Sequence, residues 1–204
     1  MNHRGRIIAI EGVDAVGKHT QSLLLETWFR NHGIKSTSLS FPDYGTPIGK
    51  EIKAFLAGRR DFPAEVRHML FAANRWEKSS LIRKSQAECE VVIVNRYTES
   101  NLVYGVANGL HLDWLASLEE GLPKSNLVMV LEDPSKGLVS RRPGRKDSYE
   151  KDQELQVRVQ TLYKELAPKF GWMIIDGSRS VRSVHNSIVE AVRANIDARP
   201  RARP

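Results

Sequence analysis

The sequence predicts an α/β fold of three layers, in which helices cover both faces of a five-stranded parallel sheet. Two observations lead to this prediction. Five short apolar runs alternate along the chain with segments of helical periodicity. Strands that are apolar throughout are typical of parallel sheets, because both faces of such a sheet are covered. We see no repeat and no dividing linker, so we expect one domain, residues 1–204.

The first half of the chain is predicted to contain two strands and two helices. Residues 6–10 are apolar and rich in β-branched side chains, which predicts the first strand. Leucines at helical spacing over residues 20–31, closed by Gly33, predict the first helix. Residues 36–41 form the second predicted strand, and residues 47–56 the second predicted helix.

The second half continues the alternation. A long helix is predicted over residues 63–86. The clearest buried strands are predicted at 91–94 and 127–131, and a fifth strand at 172–175. A closing helix is predicted over 181–196. In a sheet of this kind, ligands bind beyond the carboxyl ends of the strands, where the chain direction switches.

The composition narrows the class of protein. Hydrophobic residues at 41% and charged residues at 27% are typical of a globular chain. No apolar run reaches the roughly 18 residues of a membrane-spanning helix, and the first residues lack a signal-peptide pattern. The single cysteine, Cys89, cannot form an internal disulfide. We therefore expect a cytoplasmic protein that has no membrane partner.

The net charge of +7 raises nucleic acid as a possible partner. Many of the basic residues, however, lie in the segment 141–146 and in the tail 199–204. The tail alternates arginine with small residues and proline, which predicts disorder over 197–204. Because basic charge suits a mononucleotide pocket equally well, we expect no nucleic-acid partner.

A glycine-rich loop follows the first predicted strand. Gly12, Gly17 and Lys18 match the pattern G-x-x-x-x-G-K, in which backbone N–H groups surround phosphate oxygens. The following helix directs its positive end at the same place, and the lysine supplies a cation for the β- and γ-phosphates. The loop predicts ATP as a ligand. The candidate ATP contacts in this segment are Gly12, Val13, Asp14, Ala15, Val16, Gly17, Lys18, His19 and Thr20.

His19 stands where the hydroxyl that ligates Mg²⁺ usually follows the lysine. Imidazole is a poor ligand for so hard an ion, so we expect His19 to face outward. Mg²⁺ would then be held mainly by phosphates, water and carboxylates. Thr20 either contacts phosphate or simply begins the helix.

Four further segments occur in order after this loop. They read FPDYGTPIG at 41–49, LFAANRWE at 70–77, NRY with SN and Y at 95–104, and RRPGRKDSYE at 141–150. Together with the phosphate loop they resemble the thymidylate kinase family over nearly the whole chain. The resemblance implies a P-loop NTPase-type fold with a mobile basic lid, and transfer of the ATP γ-phosphoryl group to dTMP, giving dTDP and ADP for dTTP synthesis. It also implies ATP as co-substrate, Mg²⁺ and a homodimer.

The resemblance implies that Phe41, Pro42 and Tyr44 line the monophosphate site. Some relatives have arginine where Tyr44 stands. Packing at a strand end is the alternative for Phe41 and Pro42.

Phe71 and Arg75 lie four residues apart on a predicted helix and therefore share one face. By resemblance, Phe71 stacks on the base and Arg75 donates to its 4-carbonyl group. Cytosine carries an amino group there, so this pair favours thymine or uracil. Taken alone, Phe71 would more often be a core residue and Arg75 a solvated one.

Arg96 follows a buried strand, where a bidentate contact to the acceptor phosphate is possible. Ser100 and Tyr104 lie one helical turn apart on the next helix, with Asn101 between them. The resemblance implies that Asn101 and Tyr104 lie near the deoxyribose and that Tyr104 crowds a 2′-hydroxyl. A core role is the alternative for Tyr104.

Asn95 replaces an aspartate of the family at the metal–phosphate centre, which leaves it a weak candidate ligand. Asp14 matches a family aspartate near the sugar and the acceptor phosphate. It is the other candidate metal ligand, and we expect Asp14→Asn to abolish turnover.

Residues 141–150 combine proline, glycine and four cations without apolar anchors, which predicts a mobile loop. In the family a lid closes over ATP here, and relatives without an arginine in the phosphate loop supply the catalytic arginine from this lid. Ala15 makes this chain similar to those relatives. An ion-paired helix start is the alternative for the acidic residues at the end of this segment. The lid candidates are Arg141, Arg142 and Arg145 for the phosphates, and Tyr149 and Glu150 for the acceptor side; the full catalytic set is Asp14, Lys18, Arg96, Arg141 and Arg145.

Other functions remain open from the sequence. A kinase of another pyrimidine nucleotide, or a deoxynucleoside kinase, would keep the loop and lid but need a different acceptor pocket. A nucleotide-binding regulatory protein with weak turnover is supported only by His19 and Asn95. A nucleic-acid-binding module would predict salt-sensitive binding that is lost with the tail.

Overall fold

The computed structural model describes residues 5–133, 149 and 152–196. Five parallel strands form one sheet in the order β2-β3-β1-β4-β5. This confirms the predicted parallel α/β architecture. The strands are β1 (Arg6–Glu11), β2 (Ser36–Ser40), β3 (Val91–Asn95), β4 (Leu127–Glu132) and β5 (Met173–Asp176).

Eight helices connect and cover these strands in the described residues. Three of them begin after a residue whose side chain caps the helix: Thr46 accepts from the Gly49 N–H at 3.0 Å, Asp152 from the Leu155 N–H at 2.9 Å, and Ser180 from the Ser183 N–H at 3.2 Å. The helices are α1 (Lys18–Asn31), α2 (Pro47–Leu56), α3 (Ala64–Glu77), α4 (Ser79–Glu88), α5 (Thr98–Ala107), α6 (Leu112–Glu119), α7 (Gln153–Phe170) and α8 (Val181–Asn195).

Each face of the sheet carries its own apolar core. Ile7 and Ala9 of β1 belong to one core, which includes residues of α2, α5 and α7. Ile8 and Ile10 belong to the other, which includes residues of α1 and α8. Successive side chains of a strand point to opposite faces, so one apolar run supplies both cores. This explains why the central strands are apolar throughout.

The predicted long helix over 63–86 is wrong, because two helices, α3 and α4, occupy this segment. They meet at Lys78, whose φ of −101° and ψ of 7° depart from helical values. Ser79 and Ser80 follow, and serine hydroxyls compete for backbone hydrogen bonds at such bends. The Lys78 ammonium group reaches Asp43 at 2.8 Å, so the break coincides with a tertiary contact.

The other predicted elements have bounds close to those in the structure. The first helix begins two residues before its predicted start, and the second strand ends at Ser40, before Phe41. The fifth strand is displaced by one residue, and the last helix ends at Asn195. Differences of this size are ordinary at element ends.

The sheet order brings the carboxyl ends of β1 and β3 together, with Ile10 in register with Asn95. The loops that follow these two strands therefore border one site. None of the described helices has the length and apolar character needed to cross a membrane. The predicted lid, apart from Tyr149, and the predicted tail at 197–204 lie outside the described residues.

Candidate active site

The loop between β1 and α1 has three residues with positive φ: Gly12 at +125°, Ala15 at +60° and Gly17 at +101°. At Gly12 a Cβ atom would lie 2.3 Å from the carbonyl oxygen of Leu131, so only glycine fits between the loop and β4. Gly17 precedes α1, and no side chain caps this helix. The first-turn N–H groups are thus available to an anion, as the sequence predicts.

Lys18 lies across this loop. Its ammonium group donates to the carbonyl oxygens of Gly12 at 3.0 Å and Val13 at 2.6 Å, and the residue is almost wholly buried. His19 and Thr20 follow in the first turn of α1, and both are exposed. The charge of Lys18 is therefore held where phosphates would meet the loop.

One cavity of about 380 Å³ joins the phosphate loop to the proposed acceptor end. Gly12, Val13 and Val16 of the loop lie outside its lining, because Gly12 and Val16 are buried and Val13 packs against the core. Arg141, Arg142, Arg145 and Glu150 lie outside the described residues. The predicted site residues that line the cavity are Asp14, Ala15, Gly17, Lys18, His19, Thr20, Phe41, Pro42, Tyr44, Phe71, Arg75, Asn95, Arg96, Ser100, Asn101, Tyr104 and Tyr149.

Arg96 lines this cavity and makes several of its polar contacts. Its backbone has a left-handed φ of +59°. Its Nη2 donates to Asp14 Oδ1 at 2.5 Å and to the Tyr104 hydroxyl at 3.3 Å, and its guanidinium lies 5.2 Å from the Tyr104 ring centre. Burial is the largest influence and by itself would lower the pKa of Arg96, but the acidic neighbours, Asp14 first among them, together outweigh it and the pKa is raised. The side chain is therefore a permanent cation beside an acid.

A buried acid, Glu11, supports this arrangement from the end of β1. It accepts hydrogen bonds from the Tyr97 N–H at 2.7 Å, the Ser100 hydroxyl at 2.5 Å and the Tyr163 hydroxyl at 2.9 Å. These bonds tie β1 to the start of α5 and to α7. Glu11 was not among the predicted site residues; the one local signal for it was an acid closing an apolar strand.

Asn95 ends β3 beside the phosphate loop. Its Nδ2 donates to the Ser40 hydroxyl at 3.3 Å, whereas its Oδ1 is shielded from solvent and has no partner among the described residues. An orphaned amide oxygen is a ligand that Mg²⁺ accepts. In the described part of the chain, no group of three or more His, Cys, Asp or Glu residues could hold a metal by itself.

The loop after β2 is held by Asn74 of α3. Asn74 accepts from the Asp43 N–H at 2.8 Å and donates to the Thr46 hydroxyl at 2.8 Å. The hydrogen bond from Lys78 lowers the pKa of Asp43. Phe41 is both buried in the core and part of the cavity lining, so the two interpretations of this residue are compatible.

Phe71 and Arg75 occupy one face of α3, as the spacing predicts. Arg75 is not a solvated residue: it is buried and pairs through Nε and Nη2 with Glu119 of α6, the Nε–Oε2 distance being 2.9 Å. Tyr149 lies 6.2 Å from Phe71 and stacks on Tyr104 at 5.8 Å, measured between ring centres. This end of the cavity therefore combines aromatic walls with a fixed cation.

His68 and Glu119 also belong to this region and were not among the predicted site residues. His68 is fully buried, lines the cavity and contacts Asn101 through Nδ1 at 2.7 Å. Its position three residues before Phe71 on the same helix was a usable signal. No local pattern could have identified Glu119, which lies 44 residues after its partner Arg75.

Known proteins are similar to this chain in both sequence and fold. A family model described as thymidylate kinase matches residues 10–188. Thymidylate kinase from Dictyostelium discoideum is 35% identical over 92% of this chain and 85% of its own length. The Homo sapiens thymidylate kinase is 32% identical, over 91% of this chain and 88% of its own. The solved structure of thymidylate kinase from Candida albicans has a TM-score of 0.82 and 30% identity, covering 96% of this chain and 94% of that one. This chain belongs to the thymidylate kinase family.

Proposed function

We propose that the protein is an enzyme that transfers the γ-phosphoryl group of ATP to dTMP, giving dTDP and ADP. The observation that carries this proposal is the cavity of about 380 Å³. It runs from the phosphate loop, past Arg96, to an aromatic pocket that contains Arg75. Membership of the thymidylate kinase family supports the same reaction.

The chain's residues act mainly by positioning charge. An oxygen of the dTMP phosphate attacks the γ-phosphorus while the bond to the bridging oxygen of ADP breaks. Lys18 neutralises charge on the transferring group, and Arg96 holds the acceptor phosphate. The attacking oxygen is already ionised, so the step needs no general base. Arg141 and Arg145 are proposed to reach the same phosphates from the lid, with Arg142 on ATP.

We also propose Mg²⁺ as a cofactor held mainly by ATP phosphates and water. The unpartnered Oδ1 of Asn95 and the carboxylate of Asp14 are the candidate protein ligands. When bound, the ion would withdraw negative charge from the phosphates and screen it. His19 is exposed and has the wrong chemistry for this ion.

The acceptor end has features that suit a thymidine nucleotide. Phe71 offers a ring for stacking, and Arg75 offers N–H groups to the 4-carbonyl of thymine. Tyr104 would crowd a ribose 2′-hydroxyl, with Ser100 and Asn101 beside it. Phe41, Pro42 and Tyr44 form the wall near the acceptor phosphate; Tyr149 and Glu150 are proposed to close it from the lid.

Two broader properties belong to the proposal. We propose a homodimer, because family resemblance implies one and α3 has exposed large apolar side chains at Met69 and Trp76. Sedimentation equilibrium tests this, and a monomer at micromolar concentration would contradict it. We also propose a cytoplasmic location, which is supported by the single cysteine, because a chain that cannot form an internal disulfide does not depend on an oxidising compartment.

The reaction is tested by ADP release from purified protein with ATP and Mg²⁺, offering dTMP, dUMP, dCMP and thymidine in turn. We expect the highest kcat/KM with dTMP. Equal turnover with all acceptors, or ATP binding without turnover, would contradict the proposal.

A further inference from the structure

The base end of the cavity is backed by a relay of five hydrogen-bonded side chains. Asn108 Nδ2 lies 3.1 Å from His68 Nε2, and His68 Nδ1 lies 2.7 Å from Asn101 Oδ1. Asn101 Nδ2 donates to Glu119 Oε1 at 2.7 Å, and Arg75 Nε donates to Glu119 Oε2 at 2.9 Å. The exposed fractions are 0% for His68, 2% for Asn101, 3% for Arg75 and 8% for Glu119. Water therefore competes little for these bonds.

Only one donor-to-acceptor orientation of these side chains satisfies every hydrogen bond in the relay, and we call this orientation its direction. The Glu119 carboxylate, paired with a guanidinium, can only accept, so Asn101 presents its amide hydrogens to it. The Asn101 oxygen then faces His68, whose Nδ1 must carry the ring hydrogen. His68 Nε2 accepts in turn from Asn108. The Asn108 Nδ2 also donates to the Tyr104 carbonyl oxygen at 2.7 Å, which fixes the far end independently.

The protonation state of His68 fits this direction. Burial lowers its pKa to about 4, the nearby charge of Arg75 acting in the same sense and the Asn101 hydrogen bond opposing both. The ring is therefore neutral near pH 7 and has a single N–H to donate.

The direction decides which atoms remain for a ligand. Both hydrogens of Asn101 Nδ2 are used, on Glu119 and on the His68 carbonyl oxygen at 3.3 Å. Of the Asn101 amide atoms, only Oδ1 can still bond a ligand, because one of its two lone pairs remains free to accept a hydrogen bond. Arg75 spends Nε and one hydrogen of Nη2 on Glu119, and no described residue accepts from its Nη1. Asn101, which carries this acceptor oxygen, and Arg75, which carries this donor nitrogen, both line the cavity.

We propose that Glu119 and His68 are positioning residues that set base specificity by fixing the direction of this relay. The proposal rests on the proposed function. Thymine and uracil present an N–H at position 3 beside a carbonyl at position 4, which complement Asn101 Oδ1 and Arg75. Cytosine presents the reverse pattern. Its N3 acceptor would face the Asn101 oxygen, and its 4-amino donor would face the Arg75 N–H groups, so both contacts would be unfavourable.

The test compares kcat/KM for dTMP and dCMP in the wild type and in Glu119→Gln. A glutamine can donate to Asn101, so the amide can turn over and offer its hydrogens to the base. We expect the dTMP:dCMP ratio to fall at least tenfold, with a higher KM for dTMP and an unchanged KM for ATP. Glu120→Gln, at the exposed neighbouring residue, is the matched control and should keep the wild-type ratio.

Two variants at His68 separate direction from packing. His68→Leu removes the donor to Asn101 and should lower the ratio, whereas His68→Asn can place an amide N–H near the same point and should retain more of it. A wild type that prefers dTMP while Glu119→Gln and His68→Leu keep that preference would overturn the relay and leave the proposed function standing. A wild type without dTMP preference would overturn the proposed function itself.

A measurement on the unaltered protein avoids any folding defect in the variants. ¹⁵N NMR of the histidine rings, with the His68 signal identified by its loss in His68→Asn, reports which nitrogen carries hydrogen. We expect a neutral ring with the hydrogen on Nδ1 at pH 7. A hydrogen on Nε2 alone, or a charged ring, would overturn the relay.

Discussion

At the scale of single residues, the pairing of Arg96 with Asp14 links the phosphate loop to the acceptor end of the cavity. The 2.5 Å contact neutralises part of the arginine's charge and limits its orientation. The same aspartate is a candidate Mg²⁺ ligand, so it has two separate reasons to affect turnover.

A further acid, Glu99, lies buried at the start of α5, and the proposed reaction does not use it.

Asp14→Asn keeps the size of the side chain but removes its charge. We expect kcat to fall by about 100-fold or more, because Arg96 loses its ionic partner and the metal loses a carboxylate. Steady-state kinetics with saturating ATP and dTMP measure this. Asp61→Asn, at an exposed position, is the control, and near-normal kcat in Asp14→Asn would contradict the assignment.

Glu99→Gln should change stability in a pH-dependent way. Burial, followed by the charge of Glu11, raises the pKa of Glu99 to about 7 from its ordinary value of 4.5. Between these values the folded protein binds more protons than the unfolded chain, so the free energy of unfolding falls as the pH rises.

The variant lacks this penalty. It should match the wild type near pH 4.5 and be more stable at pH 8, by about 1–3 kcal/mol. Urea unfolding across this pH range measures the difference, with the exposed Glu88→Gln as control. A constant difference at every pH would show that Glu99 does not titrate as stated.

At the scale of elements, the loop after β2 depends on α3 for its shape. Asn74 uses its amide oxygen and nitrogen on Asp43 and Thr46, so the helix and the loop form one polar unit. The break at Lys78 belongs to the same unit, since the lysine reaches Asp43. The wall formed by Phe41 to Tyr44 is thus positioned by a helix that begins some twenty residues later in the chain.

Asn74→Ala should loosen this wall. Because buried groups lose their partners, we expect the free energy of unfolding to fall by about 1–3 kcal/mol and the KM for dTMP to rise several-fold. Denaturant unfolding and initial-rate kinetics measure the two effects. Asn31→Ala, at the exposed end of α1, should change neither; an unchanged KM in Asn74→Ala would contradict the role of the loop.

At the scale of the whole molecule, two apolar cores and the sheet order place the described site loops, those after β1, β2 and β3, at one edge of the sheet. The last described residue, Ile196, is still part of the core on the α1 and α8 face, with 3% of its surface exposed. The core therefore extends to the residue immediately before the basic tail.

Removal of residues 197–204 should leave both the melting temperature and dTMP turnover unchanged. Ile196→Ala should lower the free energy of unfolding by about 2–4 kcal/mol, because it leaves a buried cavity. Thermal unfolding of the two variants makes the comparison. A large loss of stability on removing the tail would show that the tail packs against the domain.

Local sequence patterns are sufficient to predict the parallel sheet, the phosphate loop and the helix face shared by Phe71 and Arg75. Each of these features corresponds to a pattern of residues close together in the chain: apolar runs, a glycine–lysine spacing and a four-residue period. Tertiary packing, in contrast, sets the pairing of Arg75 with Glu119, the contact of Glu11 with Ser100 and the helix break at Lys78. These contacts join residues far apart in the chain, and their geometry depends on how the elements pack, which no local pattern encodes.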